Sequence, residues 1–540
     1  DPEMSRGLGD VYKRQYQQKA AEQQLMDVAV AAHRGDILDA NGEVMAMSAT
    51  VYNLILAPKD LINSVDKDDF EDEDGKLDQS AYQAEIQRKR DEVADGLCAI
   101  RPDLDRADLE RRLEKENSQY EVLLTNVEEG EAESIRAFIE ENKTAYYLYL
   151  TPSTKRYYPF SALASQVLGF VNTEGGVYGL EAGYEDVLKG IPGRVVTGKT
   201  AKNVEMYNSY SNYIDAVNGY DLTLTLDSAI QSYCESILKK GIEQFEVQDG
   251  GFCIAMDPNT GEILAWANSP TYDLNNPRVV SDPVLNQYLA DIESGAYTKE
   301  EAYQKALAEG ASSEEARDKA ISAAETEVLY TQWTNKAITS TYEPGSTFKP
   351  ITLATALEEG VVDMNTTFNC TGSITVQGWG RPINCSKRAG HGLQTLKVAT
   401  GNSCNPAFVT MGLKIGTETY YKYLKSFGLM EKTGVDMIGE VAGIFADEES
   451  FNSNVVSLAS YAFGQTFNVT PLELIRAQAA TINGGYLYTP YVVEQVLDDS
   501  GAVVEQHESV PVRQVISEET SAKVRECLEW VAVSYTHLRA

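Results

Sequence analysis

Positive charge is scarce in this chain. Against 81 aspartates and glutamates its 540 residues hold only 46 lysines and arginines, a formal net charge of -35. A surface of that sign repels phosphate backbones and argues against nucleic acid as a partner. Long apolar runs are missing as well. No stretch of 18 or more apolar residues occurs, so no segment of the given sequence is built to cross a bilayer as a helix. No secretory leader is readable. Seven cysteines are too few and too scattered for a disulfide scaffold. Of the four histidines, His33, His507 and His537 show no pairing that suggests catalysis. What the chain does have is hydrophobic content of 43%, enough for two or three domains with their own cores.

The two ends are set aside first. Residues 10–15 read Asp-Val-Tyr-Lys-Arg-Gln and residues 533–538 read Val-Ser-Tyr-Thr-His-Leu. One DNA word, read on opposite strands, encodes both. That word resembles a transposon end used in preparing sequencing libraries. Residues 1–15 and 533–540 are therefore expected to be translated adapter, with native sequence from about Tyr16 to Ala532 and more of it lost at each side.

Between the ends, good helix formers without Gly or Pro predict a stalk helix over 16–33. Residues 34–46 read as strand, Asn41-Gly42 turn and strand. The acidic run at 60–78 reads as a solvated loop, 81–142 as two or three helices, and the Gly-rich 167–193 as loops and turns. A second region opens near Tyr220, with a strand at 221–227, a helix at 229–241, a hairpin at 250–268 and helix at 285–330. The expected domains are 34–219 and 220–532. Short strands among long helices predict an α/β (α+β) fold, and no internal repeat is evident.

The chemistry concentrates in Tyr342-Glu343-Pro344-Gly345-Ser346-Thr347-Phe348-Lys349-Pro350. Apolar residues at 351, 353, 354, 356 and 357 continue with helical periodicity, and the Pro-Gly pair marks a helix start. Ser346 and Lys349, three apart, share one helix face. A serine hydroxyl needs a base to take its proton. A lysine serves only when burial or a cationic neighbour lowers its pKa. The helix N-terminus also favours negative charge growing at the serine oxygen. Gly401-Asn402-Ser403-Cys404-Asn405-Pro406 begins a second element, with Ser403 lying 57 residues beyond Ser346. There Ser403 offers a hydroxyl for proton relay, and Asn405 an amide to hold Lys349 and a substrate backbone. Each element alone is weak, since Ser-x-x-Lys is common and Ser and Asn favour turns and N-caps.

In this order and spacing the two elements resemble the class B penicillin-binding proteins, the D,D-transpeptidases of elongation, division and sporulation. Ser-x-x-Lys, a Ser-x-Asn-type motif and Lys-Thr-Gly mark that superfamily. The resemblance extends over nearly all of 34–532, through Gly179-Leu180-Glu181, Gly190-Ile191-Pro192-Gly193, residues 260–265, Gly464-Gln465, Val469-Thr470-Pro471 and Asn483-Gly484-Gly485. It implies a serine β-lactamase/transpeptidase-like catalytic domain preceded by an elongated α+β pedestal (a dimerisation-type domain). It implies that Ser346 is acylated by a D-Ala-D-Ala stem peptide, or covalently by a β-lactam, and that a second stem amine resolves the acyl-enzyme into a cross-link. Lys349 then acts as base, Ser403 relays the leaving-group proton, and Ser403 and Asn405 bind the substrate. No cofactor is needed for the chemistry. A membrane glycosyltransferase partner, a single N-terminal membrane anchor and an extracytoplasmic catalytic domain are implied as well. β-Lactamases and β-lactam sensors share Ser-x-x-Lys but need no pedestal of this length. A catalytically dead scaffold of the wall-synthesis complex is the other alternative.

Two features depart from or extend the pattern. Lys432-Thr433-Gly434 lies only 27 residues after Asn405 and is rejected as the third motif; Gly198-Lys199-Thr200-Ala201 precedes Ser346 and is rejected too. The true motif is expected beyond the adapter boundary, so the chain as given is expected to turn over stem peptides poorly. Cys370, Cys385, His391 and Cys404 fall within 35 residues. Three thiols and an imidazole form a common tetrahedral zinc set. The spacing is not that of a zinc finger, but resembles the positions of a structural zinc in some elongation-type members. A Cys370–Cys385 disulfide is the competing reading. Cys98, Cys234, Cys253 and Cys527 are expected in the core.

Overall fold

The computed structural model describes residues 25–30, 32–72, 75–198 and 212–534. They form two compact units, neither of them a single stretch of sequence. The first takes Asp1–Asp36, Ala46–Tyr157 and Asp186–Tyr220; the second takes Ile37–Met45, Tyr158–Glu185 and Asp221–Ala540. A division at 219/220 thus marks one crossing of the chain, whereas 37–45 and 158–185 pack with the second unit. The reason is visible in the backbone: Ile37–Leu38 pairs in parallel with Asp221–Leu224, which pairs antiparallel with Val493–Leu497.

In the first unit, residues 46–56 of strand Val44–Leu56 are flanked by Glu121–Val127 and Leu148–Tyr157, both antiparallel. Helix Gln79–Ile100 starts where the Asp78 carboxylate accepts the Ser80 and Ala81 amides. It buries Tyr82, Ile86, Val93 and Leu97 against Leu54, Leu56 and Leu148. Helix Glu129–Glu141 adds Ala132 and Ile135 to the same core. Their outer faces carry solvent-screened pairs such as Arg88–Glu85, which add little to stability.

The helix expected over 16–33 is overturned at its described end. Leu25–Val30 is a strand, paired antiparallel with Gly193–Gly198 from Leu25↔Gly198 to Val30↔Gly193. Helix propensity is a weak prior, and here it yields to a ladder whose partner lies far along the chain. Residues 16–24 and 31, and also Lys199, Thr200 and Ala201, lie outside the described residues. Among the described residues no helix is long and apolar enough to cross a membrane.

The second unit mixes small sheets with a helical core. Hairpin Gly251–Met256 and Ile263–Ser269 turns at a Gly261 whose φ is +85°, and helix Ser228–Phe245 packs on it. The segment 285–330, expected to be helical, forms three helices, Pro283–Ser294, Glu301–Ala308 and Ser313–Trp333. Ser312 and Glu315 form a capping box, and Ala316, Ala320, Ala324 and Val328 make the buried stripe of the last helix. At the centre, helix Lys349–Glu358 buries Lys349 and every residue from Ile351 to Leu357. Its periodicity reads as amphipathic in sequence, but it is enclosed on all sides, as helices Asn405–Ile415, Pro471–Ile482 and Glu518–Ser534 surround it. Its two threonines avoid stranded hydroxyls: Thr352 bonds Tyr420 at 2.7 Å, and Thr355 donates to the Ile351 carbonyl at 2.9 Å.

The segment around Lys432-Thr433-Gly434 is a structural turn. Thr433 donates its amide to Glu440 Oε1 at 2.7 Å, and Gly434 donates its own to Glu440 Oε2 at 3.2 Å. Nearby Asp436 is half-buried, its desolvation raises its pKa, and it accepts the Val492 and Val493 amides at 2.9 and 2.7 Å and the Tyr184 hydroxyl at 3.3 Å. Removing that acceptor strands two backbone donors. Asp436→Ala is expected to cost about 2–4 kcal/mol in urea unfolding, with Asp436→Asn, which keeps one acceptor oxygen, losing less than half of that.

Candidate active site

Ser346 sits on a turn clamped from below. Tyr342 exchanges both backbone hydrogen bonds with Val469 at 3.0 Å, and the Gly345 amide donates to the Gly464 carbonyl at 2.7 Å. The Thr466 amide donates to Glu343 Oε1 at 2.8 Å. Gly464 has φ of +87°, and a Cβ there would lie 1.8 Å from the Gly345 carbonyl oxygen. Only glycine permits this approach. The Gln478 amide holds the Thr347 carbonyl at 2.6 Å.

The expected helix start is a 3-10 turn, Gly345–Phe348, feeding helix Lys349–Glu358. In 3-10 geometry residues three apart eclipse, which stacks Lys349 directly over Ser346. The Lys349 ammonium donates to Ser346 Oγ at 2.9 Å, Ser403 Oγ at 2.7 Å, Asn405 Oδ1 at 2.8 Å and the Ser403 carbonyl at 2.9 Å. The structure thus brings Ser346, Lys349, Ser403 and Asn405 together. Four acceptors surround an ammonium with three protons. Once neutral, the amine has two protons and a lone pair, and the hydroxyl of Ser346 is placed to donate to it. Burial drives Lys349 in that direction, lowering its pKa to about 8. The Phe408 ring, 5.4 Å from Nζ, favours the cation.

Ser403 adopts φ of +47°, a left-handed conformation rare outside glycine and asparagine. It joins helix Leu396–Gly401 to helix Asn405–Ile415, whose N-cap is Cys404 and whose first turn carries Pro406. The Ser403 and Cys404 amides donate to Thr400 and Ala399 carbonyls at 2.9 and 3.0 Å, holding the strained residue in place. Asn405 bridges: its oxygen faces Lys349 and its Nδ2 donates to the Asn384 carbonyl at 3.0 Å. A cleft of about 410 Å³ opens beside Ser346, walled by Phe408, Ile482, Leu528 and Val531. Lys432, Thr433 and Gly434 are not among its lining residues.

Cys370, Cys385, His391 and Cys404 converge behind Ser403, with all their ligand atoms within 4.8 Å of one another. Strand pairing of Cys370 with Gly392 sets His391 beside Cys370, and the Cys385 thiol meets His391 Nδ1 at 3.5 Å. Burial opposes ionisation of Cys370, but hydrogen bonds from His391 and Gly372 bring it down to about 6. Burial pushes Cys404 up to about 12. All seven cysteines are free thiols. Of those expected in the core only Cys527 is buried; Cys98, Cys234 and Cys253 are half-exposed, because their helices and strand are covered on one face alone.

A model of the penicillin-binding protein transpeptidase domain matches residues 251–539, more than half of the chain. The chain belongs to the penicillin-binding proteins. The dimerisation domain of the same family matches residues 29–224. Stage V sporulation protein D of Bacillus subtilis (strain 168) is 36% identical over 392 residues, covering 72% of this chain and 53% of that protein. Peptidoglycan D,D-transpeptidase FtsI of Escherichia coli (strain K12) is 27% identical over 350 residues, 65% of this chain and 50% of the relative. The chain thus spans about half the length of these curated relatives. Among solved structures, the complex of PBP2 with MreC from Helicobacter pylori shares the fold at TM-score 0.65 and 22% identity, covering 95% of this chain and 84% of that one. Penicillin-binding protein 2X of Streptococcus thermophilus matches at TM-score 0.65 and 21% identity, covering 94% of this chain and 66% of its own.

Sequence reading missed Phe408, Gln478 and Glu343 as partners of the site. Gln478 comes from helix Pro471–Ile482 and Glu343 bonds a residue 123 positions on, so no local signal marks them, whereas Phe408 lies one turn past Asn405 on the same helix. With Lys349 at about 8, the amine is mostly protonated below that pH and mostly neutral above it. The rate of Ser346 labelling by a fluorescent penicillin should therefore climb about tenfold per pH unit up to about 8 and then level off. Lys349→Arg, charged throughout, should flatten the profile.

Proposed function

We propose that this protein is a peptidoglycan D,D-transpeptidase that works through a serine acyl-enzyme. The observation carrying the reading is the convergence on one buried amine of Ser346 Oγ, Ser403 Oγ and Asn405 Oδ1, all within 2.9 Å. Neutral Lys349 takes the Ser346 proton as the oxygen attacks the carbonyl between the terminal D-alanines of a stem peptide. The Ser346 backbone amide is one donor to the oxyanion. Ser403 relays the proton to the departing D-Ala, and Asn405 orients the substrate backbone. A neighbouring stem amine then displaces Ser346 and leaves a cross-link. A β-lactam enters the same first step and stays. The substrate places the catalytic unit outside the cytoplasmic membrane, with a membrane glycosyltransferase as the partner that supplies glycan strands.

The thiol cluster fits a structural zinc. Three sulfurs and one imidazole nitrogen within 4.8 Å of each other need only a slight contraction to reach tetrahedral bond lengths. Cys404 would hold the metal while its neighbours Ser403 and Asn405 face Lys349. The ion would fix the second motif without entering the reaction.

Labelling by a fluorescent penicillin should vanish in Ser346→Ala and slow by about 10²–10⁴-fold in Lys349→Ala, with the adduct outlasting hours. Rapid hydrolysis of the adduct would favour a β-lactamase, and absence of label in a longer chain carrying a Lys-Thr-Gly motif would favour a scaffold. Elemental analysis should find one zinc per chain, lost in Cys370→Ser together with several degrees of melting temperature. Metal-free protein that is indifferent to chelator would dismiss the zinc.

A further inference from the structure

Two cysteines outside the site, Cys234 and Cys253, lie on a helix and a strand that pack together. Helix Ser228–Phe245 lies on the hairpin in a register fixed at two other points. Gln231 accepts the Trp266 amide at 2.6 Å and returns a hydrogen bond to the Trp266 carbonyl at 3.0 Å. One helical turn on from Cys234, Leu238 covers Gly251, where a Cβ would come within 3.2 Å of Leu238 Cδ1. Residues 234 and 238 share a helix face, and residues 251 and 253 share a strand face. The helix packs on this strand and on its hairpin partner, so the register sets Cys234 over Cys253. Both are half-exposed, so a soluble reagent reaches them.

We propose that Cys234 and Cys253 are an oxidisable pair that closes into an intrachain disulfide, stapling the helix to the strand Gly251–Met256. One thiolate attacks a small disulfide donor, forms a mixed disulfide and releases one donor thiol. The second protein thiolate displaces the other donor half. The protein loses two protons and two electrons, and the donor gains them as two thiols. Burial, the neighbouring Cys253 and the Glu235 charge raise Cys234 to about 11, so closure quickens as pH rises. The opposite face of the strand carries Phe252, whose ring lies 6.0 Å from that of Tyr342 on the approach to Ser346. The staple thus braces a strand that the nucleophile's turn leans on. The inference does not depend on the transpeptidase reading.

The test uses the reduced full chain, incubated with oxidised glutathione at pH 8 to 9, alkylated, digested without reduction and mapped by mass spectrometry. The expected product is a peptide pair joined through Cys234 and Cys253, two hydrogens lighter than its parts and separated by dithiothreitol. The oxidised chain should melt about 5 °C or more above the reduced one. Cys234→Ser and Cys253→Ser should each abolish both link and shift. Alkylation of both thiols, glutathione adducts alone, or links only to other cysteines would overturn the pair, and a link without a rise in melting temperature would overturn the staple. The map of the unmutated chain decides even where a variant fails to fold.

Discussion

The site depends on one buried amine. Lys349 is only 4% exposed, yet its ammonium touches four oxygens, one from the 3-10 turn Gly345–Phe348, two from Ser403 and one from Asn405 at the start of helix Asn405–Ile415. Burying a charge without partners is costly, and partners without burial would leave the amine at its ordinary pKa, far above neutral. The fold satisfies both demands with the same residues. The enclosed helix Lys349–Glu358 supplies the desolvation, and the left-handed Ser403 turns a hydroxyl and a carbonyl back toward Nζ. Loss of either would shift the proton equilibrium as well as the geometry.

The rigidity around that amine comes from backbone contacts that tolerate no side chain. Gly464 against Gly345 is the clearest case. The turn carrying Ser346 is bonded to Val469 and Gly464 on one side and capped by Gln478 on the other. Its position therefore depends on the helical core as a whole, where Phe348, Phe467 and Tyr461 pack ring against ring.

Much of this was legible before any coordinates. The spacing of Ser346, Lys349, Ser403 and Asn405 identified the cluster, and the hairpin at 250–268 and helix at 229–241 followed from local pattern. Other features were not legible, for physical reasons that differ. The strand at 25–30 exists through a partner more than 160 residues away, which propensity cannot sense. Ile37–Leu38 joins the second unit through a pairing of two residues. Gln478 acts through packing, and a left-handed serine at 403 has no signature in composition. The turn at 432–434 shows the converse: three residues of familiar type serve only to wrap a buried glutamate.

Residues 403, 404 and 405 alternate between two environments. The outer two face the amine and the middle one faces the thiols and imidazole. Nothing at these positions can vary for the benefit of one side without being felt on the other. A substitution that reshapes the cleft without disturbing either environment must therefore fall on its apolar walls, Ile482, Leu528 and Val531. Those side chains come from helices that contribute none of the oxygens around Lys349 Nζ.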